Sequence, residues 1–217
     1  MLSFRSFLAE EKKNKYDASG HKTAHFFDID DTLFRTSGEN GPKVIVKNKH
    51  TGETEHKLSS SEFNSHHIEP HQEYDFSQFR DPKIFAKAQP IRPVLAKIKA
   101  IQKNGGKVVF NTARADMGSN KEEFLDKFRQ YGIDMDKSHI HRTGNDTSKK
   151  SIGEKKNDVV RKYLSHNPDL NHVHLVDDHH GNLDEFLQLR KEYPHVKFTA
   201  HHVQPDGTVK RYNPEEK

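Results

Sequence analysis

Residues 23–33 read Thr23-Ala24-His25-Phe26-Phe27-Asp28-Ile29-Asp30-Asp31-Thr32-Leu33. The short run before Asp28 reads as a buried strand that ends in acidic residues. It places two carboxylates, Asp28 and Asp30, two positions apart at its carboxyl end. Such a pair suits phosphoryl transfer: one carboxylate attacks phosphorus, and the other protonates the leaving oxygen and later deprotonates water.

Outward from this stretch, regular alternation begins at Pro90. Helices are expected at about 91–104, 120–131, 157–165 and 181–192, with strands at Lys107–Asn111, His139–Arg142, His172–Val176 and Val196–His201. Strands alternating with helices predict a parallel sheet with right-handed crossovers and a ligand crevice at the strands' carboxyl ends. The expected fold is therefore α/β, a Rossmann-like parallel sheet with helices on both faces. Residues 36–90 interrupt it. Val44-Ile45-Val46, the Thr51-Gly52 turn and His56-Lys57-Leu58 predict a β-hairpin there, and residues 59–89, with scattered aromatics, are expected to be irregular but packed. The core then comprises residues 23–35 and 91–204, with 36–90 inserted after the first strand. Residues 1–22 are expected to be a flexible polar amino-terminal segment with one short amphipathic helix, and 205–217 a carboxyl-terminal tail.

Two further strands end in chemically useful residues. Val108-Val109-Phe110-Asn111-Thr112-Ala113-Arg114 brings a hydroxyl to a strand end, and His174-Leu175-Val176-Asp177-Asp178 brings two more acids. Between them lies a lysine run, Lys149, Lys150, Lys155 and Lys156. The ordered set resembles the four motifs of the haloacid dehalogenase superfamily of phosphohydrolases. The resemblance implies Asp28 as nucleophile, Asp30 as general acid and base, and Thr112 as a phosphate-holding hydroxyl. It further implies a basic residue opening a helix, best matched by Lys156, 21 residues before Asp177. It also implies Mg²⁺ held by Asp28, Asp177 and the Asp30 backbone carbonyl, with Asp178 orienting waters, consistent with the preference of Mg²⁺ for carboxylate and water oxygens. Asn182 is expected beside the metal shell or Lys156, and Arg114 and Arg35 beside the substrate. In this superfamily a segment inserted after the first motif forms a cap, so residues 36–90 are expected to be one. Its Lys47, His56 and Lys57 are candidates for contacting an anionic substrate.

Thr112-Ala113-Arg114 and Asp158-Val159-Val160 also resemble the phosphatase domain of phage polynucleotide kinase, although that domain carries Ser-Gly-Arg in the second motif. The implied substrate is a phosphorylated small molecule, a nucleotide or a nucleic-acid end. Met1–Glu10 is similar to the capsid-targeting peptides of T-even-like bacteriophages, with Leu8-Ala9-Glu10 as the cleavage sequence. That similarity implies a phage origin, a capsid or prohead partner and, as an alternative function, a packaged or scaffold-associated binding protein.

Composition narrows the remaining classes. Zero cysteines among 217 residues exclude disulfides, thiolate metal sites and cysteine nucleophiles. No run approaches the roughly 20 apolar residues of a membrane span, and none near Met1 resembles a secretory signal, so a soluble, cytoplasmic (or virion) protein is expected. The net charge of +4 favours anionic ligands only weakly. The 17 histidines, including the pairs His66-His67, His179-His180 and His201-His202, lack metal-ligand spacing and read as surface residues.

Overall fold

The computed structural model describes residues 22–216. The expected amino-terminal helix and the capsid-like peptide of residues 1–10 lie outside them. The central sheet is built from β1 (Thr23–Phe27), β7 (Val108–Thr112), β8 (Ser138–Arg142), β9 (His172–Asp177), β10 (Lys197–Val203) and β11 (Val209–Arg211), in the order β11-β10-β9-β1-β7-β8. All neighbours are parallel except β10 and β11. The chain leaves β1 for β7 and β8 on one side, then returns to β9 and β10 on the other. This reversal of strand order places the ligand crevice at the carboxyl end of β1.

Alternation along each strand feeds two apolar layers. Phe27, Val108, Phe110 and Val176 face one core, with Val94, Leu95 and Ile98 of α3 (Arg92–Lys103) and Phe124, Leu125 and Phe128 of α4 (Lys121–Gln130). Phe26, Val109, Val173 and Leu175 face the other, with α5 (Ile152–His166) and α6 (His180–Glu192). The i, i+3 and i+4 spacing of these residues is what turns each helix onto the sheet. Gly105 and Gly132 follow the ends of α3 and α4 with φ of 78° and 74°, the left-handed conformation that ends helices at glycine.

The insertion hangs on a two-stranded neck, β2 (Phe34–Arg35) paired with β6 (Gln89–Pro90). Beyond the neck, β3 (Val44–Asn48) and β4 (Thr54–Leu58) form the expected hairpin. The 59–89 segment is more regular than its sequence reads. It contributes α1 (Ser60–Ser65), α2 (Pro82–Ala86) and a third strand, β5 (Gln72–Asp75), on the other edge of β3. These extra strands fit a cap.

Three further expectations require correction. The carboxyl-terminal segment is no mere tail, because β11 closes the sheet edge and the Tyr212 hydroxyl donates to Asp184 on α6 at 2.7 Å. Helix α5 begins at Ile152 rather than near 157, because Ser151 caps it by accepting from the Glu154 backbone at 3.0 Å. This is the Ser-x-x-Glu start signal. Lys156 therefore sits in the second turn and does not open the helix. The histidines, finally, are not all surface residues. His172 is buried, and its ring lies 3.9 Å from that of His174. His174 in turn stacks between His25 at 5.1 Å and His201 at 6.0 Å.

Burial pushes His174 down to about 2, helped by His172, His25, Lys97 and His201. Burial pushes His201 down to about 4, helped by Lys97, Arg211 and His172. A base whose folded pKa is depressed contributes stability that is present above its unfolded value, near 6.5, and lost as pH falls below it. The urea midpoint of the wild type should therefore drop between pH 7 and pH 4. It should drop less in His174→Gln; parallel curves for the two proteins would refute the assignment of acid sensitivity to these histidines.

Candidate active site

The sheet brings four sequence segments to one point. Asp28 follows β1 directly, and its backbone N–H donates to the Val176 carbonyl at 2.9 Å, which locks it against the end of β9. Asp177 closes β9, and Thr112 closes β7. From α5, the Lys156 ammonium donates to Asp28 Oδ1 and to Asp177 Oδ2, each at 2.7 Å. Lys150 instead pairs with Asp158, and Lys155 donates to the Asp146 carbonyl. Of the four lysines in the run, Lys156 is thus the one that reaches the acids.

Second contacts hold this arrangement. The Asn182 amide donates to both oxygens of Asp177, at 3.0 and 3.2 Å, and the His179 backbone N–H donates to Oδ1 at 2.9 Å. The Thr32 hydroxyl donates to Asp178 at 3.0 Å. The Asn111 amide donates to the Lys156 carbonyl at 3.0 Å, tying α5 to β7. Thr112 is fully buried; its hydroxyl accepts from the Arg114 backbone, and its carbonyl accepts from the Thr143 hydroxyl.

Asp30 belongs to a different cation. Arg114 grips both Asp30 oxygens, from Nε at 2.8 Å and Nη2 at 2.6 Å. Its remaining Nη1 donates to the Phe79 carbonyl in the insertion, and the guanidinium lies 4.6 Å from the Phe85 ring centre. Arg114 is only 3% exposed. It was expected to meet substrate; in the structure it joins Asp30 to the cap. Arg35, the other arginine expected at the substrate, is exposed and donates to the Pro205 carbonyl in the turn before β11. Lys47 pairs with Asp75 inside the cap sheet.

The site has an excess of negative charge. Burial pushes Asp28 up to about 7; Asp177 and Asp30 add to the rise, and Lys156 opposes it. Burial, with Asp177, Asp28 and Asp31, raises Asp178 well above the usual carboxylate range. Burial works against the Lys156 charge, but Asp177 and Asp28 outweigh it and hold the ammonium above the ordinary lysine range. One buried cation thus faces three buried or part-buried carboxylates. No group of three His, Cys, Asp or Glu side chains among the described residues already surrounds a common metal position. The donor chemistry nevertheless fits a hard divalent cation: several oxygen ligands and uncompensated negative charge.

Comparison with known proteins fits this geometry. Residues 53–173 match the family described as HAD superfamily, subfamily IIIB (acid phosphatase). The chain belongs to that family. It has the haloacid dehalogenase fold. The matched residues include Thr112, Arg114 and Lys156; Asp28, Asp30, Asp177 and Asp178 lie outside them, and the sheet brings those acids to the family's residues. Among solved structures, a chain of "Structure of the Pnkp1/Rnl/Hen1 RNA repair complex" is 17% identical, with a TM-score of 0.45 over 88% of this chain and 45% of that one. This chain thus spans less than half the length of that relative. No curated protein matches.

Thr32, Asn111 and the Phe79 carbonyl join this candidate site without having been assigned a role from sequence. Asn111 carried one signal, a polar residue inside an otherwise apolar strand. Removing one partner of a buried ion pair costs about 3–5 kcal/mol. Lys156→Met should lower unfolding stability by about that amount in urea. Adding Asp177→Asn to Lys156→Met should restore part of the loss. If the double variant were less stable than the single one by the full cost of a second independent site, the electrostatic origin of the loss would be excluded.

Proposed function

We propose that this protein is a Mg²⁺-dependent phosphatase that works through an aspartyl-phosphate on Asp28, with nucleotides or nucleic-acid ends as substrates. The observation that carries this reading is the Lys156 bridge. It aims a buried ammonium at the same Asp28 carboxylate that the switch point of the sheet presents to the crevice. Phosphatases of this superfamily generally use Mg²⁺. Asp28, the Asp30 backbone carbonyl and Asp177 would hold the ion, with Asp178, fixed by Thr32, supporting its waters. When bound, Mg²⁺ supplies charge neutralisation for the phosphoryl oxygens.

The residues of this chain divide the work. Asp28 attacks phosphorus, forming the carboxyl oxygen–phosphorus bond as the bond to the leaving oxygen breaks. Asp30 gives that oxygen a proton. Water then attacks the aspartyl-phosphate while Asp30 takes back a proton, releasing inorganic phosphate and restoring Asp28. Lys156 balances the negative charge throughout, and Thr112 orients the phosphoryl group. Both Asp30 oxygens are held by Arg114, so one has to exchange an arginine hydrogen bond for the substrate. Since Arg114 also holds the Phe79 carbonyl, movement of the cap and release of the acid are mechanically joined.

Asp28→Asn should abolish turnover of p-nitrophenyl phosphate and nucleoside monophosphates while leaving the thermal transition cooperative, and chelation of Mg²⁺ should do the same reversibly. Complete inactivity of folded wild type with Mg²⁺ on every phosphomonoester tried would refute the reading. Asp30→Asn should discriminate between leaving groups. General acid catalysis is worth about 10²–10⁴-fold, and p-nitrophenolate needs it little whereas a nucleoside alkoxide needs it badly. Single-turnover release of alcohol should therefore fall far more for the nucleotide. Equal losses would remove Asp30 from the role of acid.

A further inference from the structure

A cavity of roughly 500 Å³ opens beside the carboxyl end of β8. His141, Arg142 and Thr143 line it from the strand end, Lys155 and Lys162 from α5 and Asp116 from the loop after β7. Arg142 is its unusual member. Its Nε and Nη2 are buried without a hydrogen-bond partner, and among the described residues no carboxylate forms an ion pair with it. A guanidinium presents five donors and stays charged in proteins. Leaving such donors buried and unmet is costly, and native structures seldom do so without a reason.

The acids at the cavity wall are engaged elsewhere. Asp158 is held by Lys150 and Arg161, Asp146 accepts from the Ser148 backbone, and Asp116 accepts from the Met117 backbone. Burial holds Arg142 below its usual range, with Asp116 alone opposing that shift. His141 is likewise pushed below the usual histidine range by burial, Lys162 and Arg142. Both shifts come first from burial, and at His141 also from the neighbouring cations Lys162 and Arg142.

The cavity also adjoins the catalytic centre. Arg142 is the register partner of Thr112, and the neighbouring Thr143 bonds the Thr112 carbonyl. Lys155 precedes Lys156 in the chain. The guanidinium carbons of Arg114 and Arg142 lie 5.6 and 6.0 Å from the same Phe124 ring centre, so they are within about 12 Å of each other. One of the two arginines is satisfied by Asp30, and the other forms no ion pair with a carboxylate among the described residues.

We propose that this cavity is an anion subsite in which Arg142 binds a second phosphoryl group, carried by the substrate on its leaving-alcohol side. The preferred substrates are then nucleoside bisphosphates or oligonucleotides with a terminal phosphate, rather than esters with a single phosphate. The inference rests on the phosphatase reading for its reaction but not for its binding.

The test compares adenosine 3′,5′-bisphosphate, a dinucleotide with a terminal phosphate, and p-nitrophenyl phosphate in wild type, Arg142→Met and Arg142→Lys. Loss of a charge-assisted contact predicts about a 10- to 100-fold fall in kcat/KM for the first two substrates in Arg142→Met, mostly through KM. A change under about twofold is expected for p-nitrophenyl phosphate, and an intermediate value for Arg142→Lys. A loss on the bisphosphate alone points to a free nucleotide, and a loss on both phosphate-rich substrates to a nucleic-acid end; either supports the subsite. Equal losses on all three, or none on the phosphate-rich pair, would overturn it. Calorimetric binding of adenosine 3′,5′-bisphosphate to Asp28→Asn protein, with and without Arg142→Met, separates the two claims: it should show the same ratio even if turnover is absent. Should Arg142→Met not fold, the His141 imidazole in Asp28→Asn protein provides the measurement. Saturation with the bisphosphate should raise its NMR titration midpoint, and an unchanged midpoint would overturn the proposal.

Discussion

The active site depends on a single ammonium group shared between two buried carboxylates. Lys156 reaches Asp28 and Asp177 at equal distance, with 4% of its side chain exposed. Bringing three charged groups out of water costs more than their attraction returns unless every remaining donor and acceptor is met. Asn182 and the His179 backbone meet those of Asp177, and Thr32 meets Asp178. Even so, Asp28 and Asp178 are both held above the carboxylate range, first by their burial and then by the neighbouring carboxylates. The two apolar layers on either face of the sheet have to stabilise this arrangement from outside. That division is common at functional sites, where local cost is offset by the rest of the fold.

The same principle separates the two carboxylates that the chain places two residues apart. Asp28 is buried against Lys156, and Asp30 is turned toward Arg114, 84 residues away in sequence. Giving each acid its own cation and its own environment is the general means by which paired carboxylates acquire different roles. It also gives the cap a route to the chemistry. Arg114 contacts Asp30 with one edge and the Phe79 carbonyl with the other, so a shift of residues 77–80 in the insertion reaches Asp30 through Arg114 and not through Asp28.

Much of this was legible in the sequence, and the reason lies in periodicity. The strands and helices that flank the crevice bury apolar residues at regular spacing, and the four acids sit at or just beyond strand ends, while Lys156 lies inside α5. What escaped reading had no such pattern. Strand β5, Gln-Glu-Tyr-Asp, carries no apolar alternation, since its place is fixed by pairing with β3 rather than by burial of its own. Strand β11 lies at a sheet edge and is largely exposed. The lysine run could not be resolved by order alone. It is resolved by the start of α5 at Ile152: successive residues on a helix point about 100° apart, so Lys155 faces the Asp146 loop while Lys156 faces the sheet. The Asp30–Arg114 pair and the unmet Arg142 are long-range facts that no local spacing records.

The loop after β1 shows how closely structural and chemical duties are interleaved. Asp31 has a φ of 53°, a conformation that asparagine and aspartate tolerate better than most residues. Its carboxylate accepts from the Thr36 and Ser37 backbones, each at 2.9 Å, and from the Ser37 hydroxyl. The Ile29 carbonyl meanwhile accepts from the backbones of Leu33 and Phe34. Asp31 is thus the turn-forming acid of the run, which frees Asp28 and Asp30 to face the crevice. Because this turn leads into Phe34, whose ring packs on Phe85 and Phe128 at 5.3 and 5.5 Å, the direction of the acids is set by the same side chain that anchors the neck of the cap. The geometry of Asp28 and the seating of the insertion are therefore one packing problem.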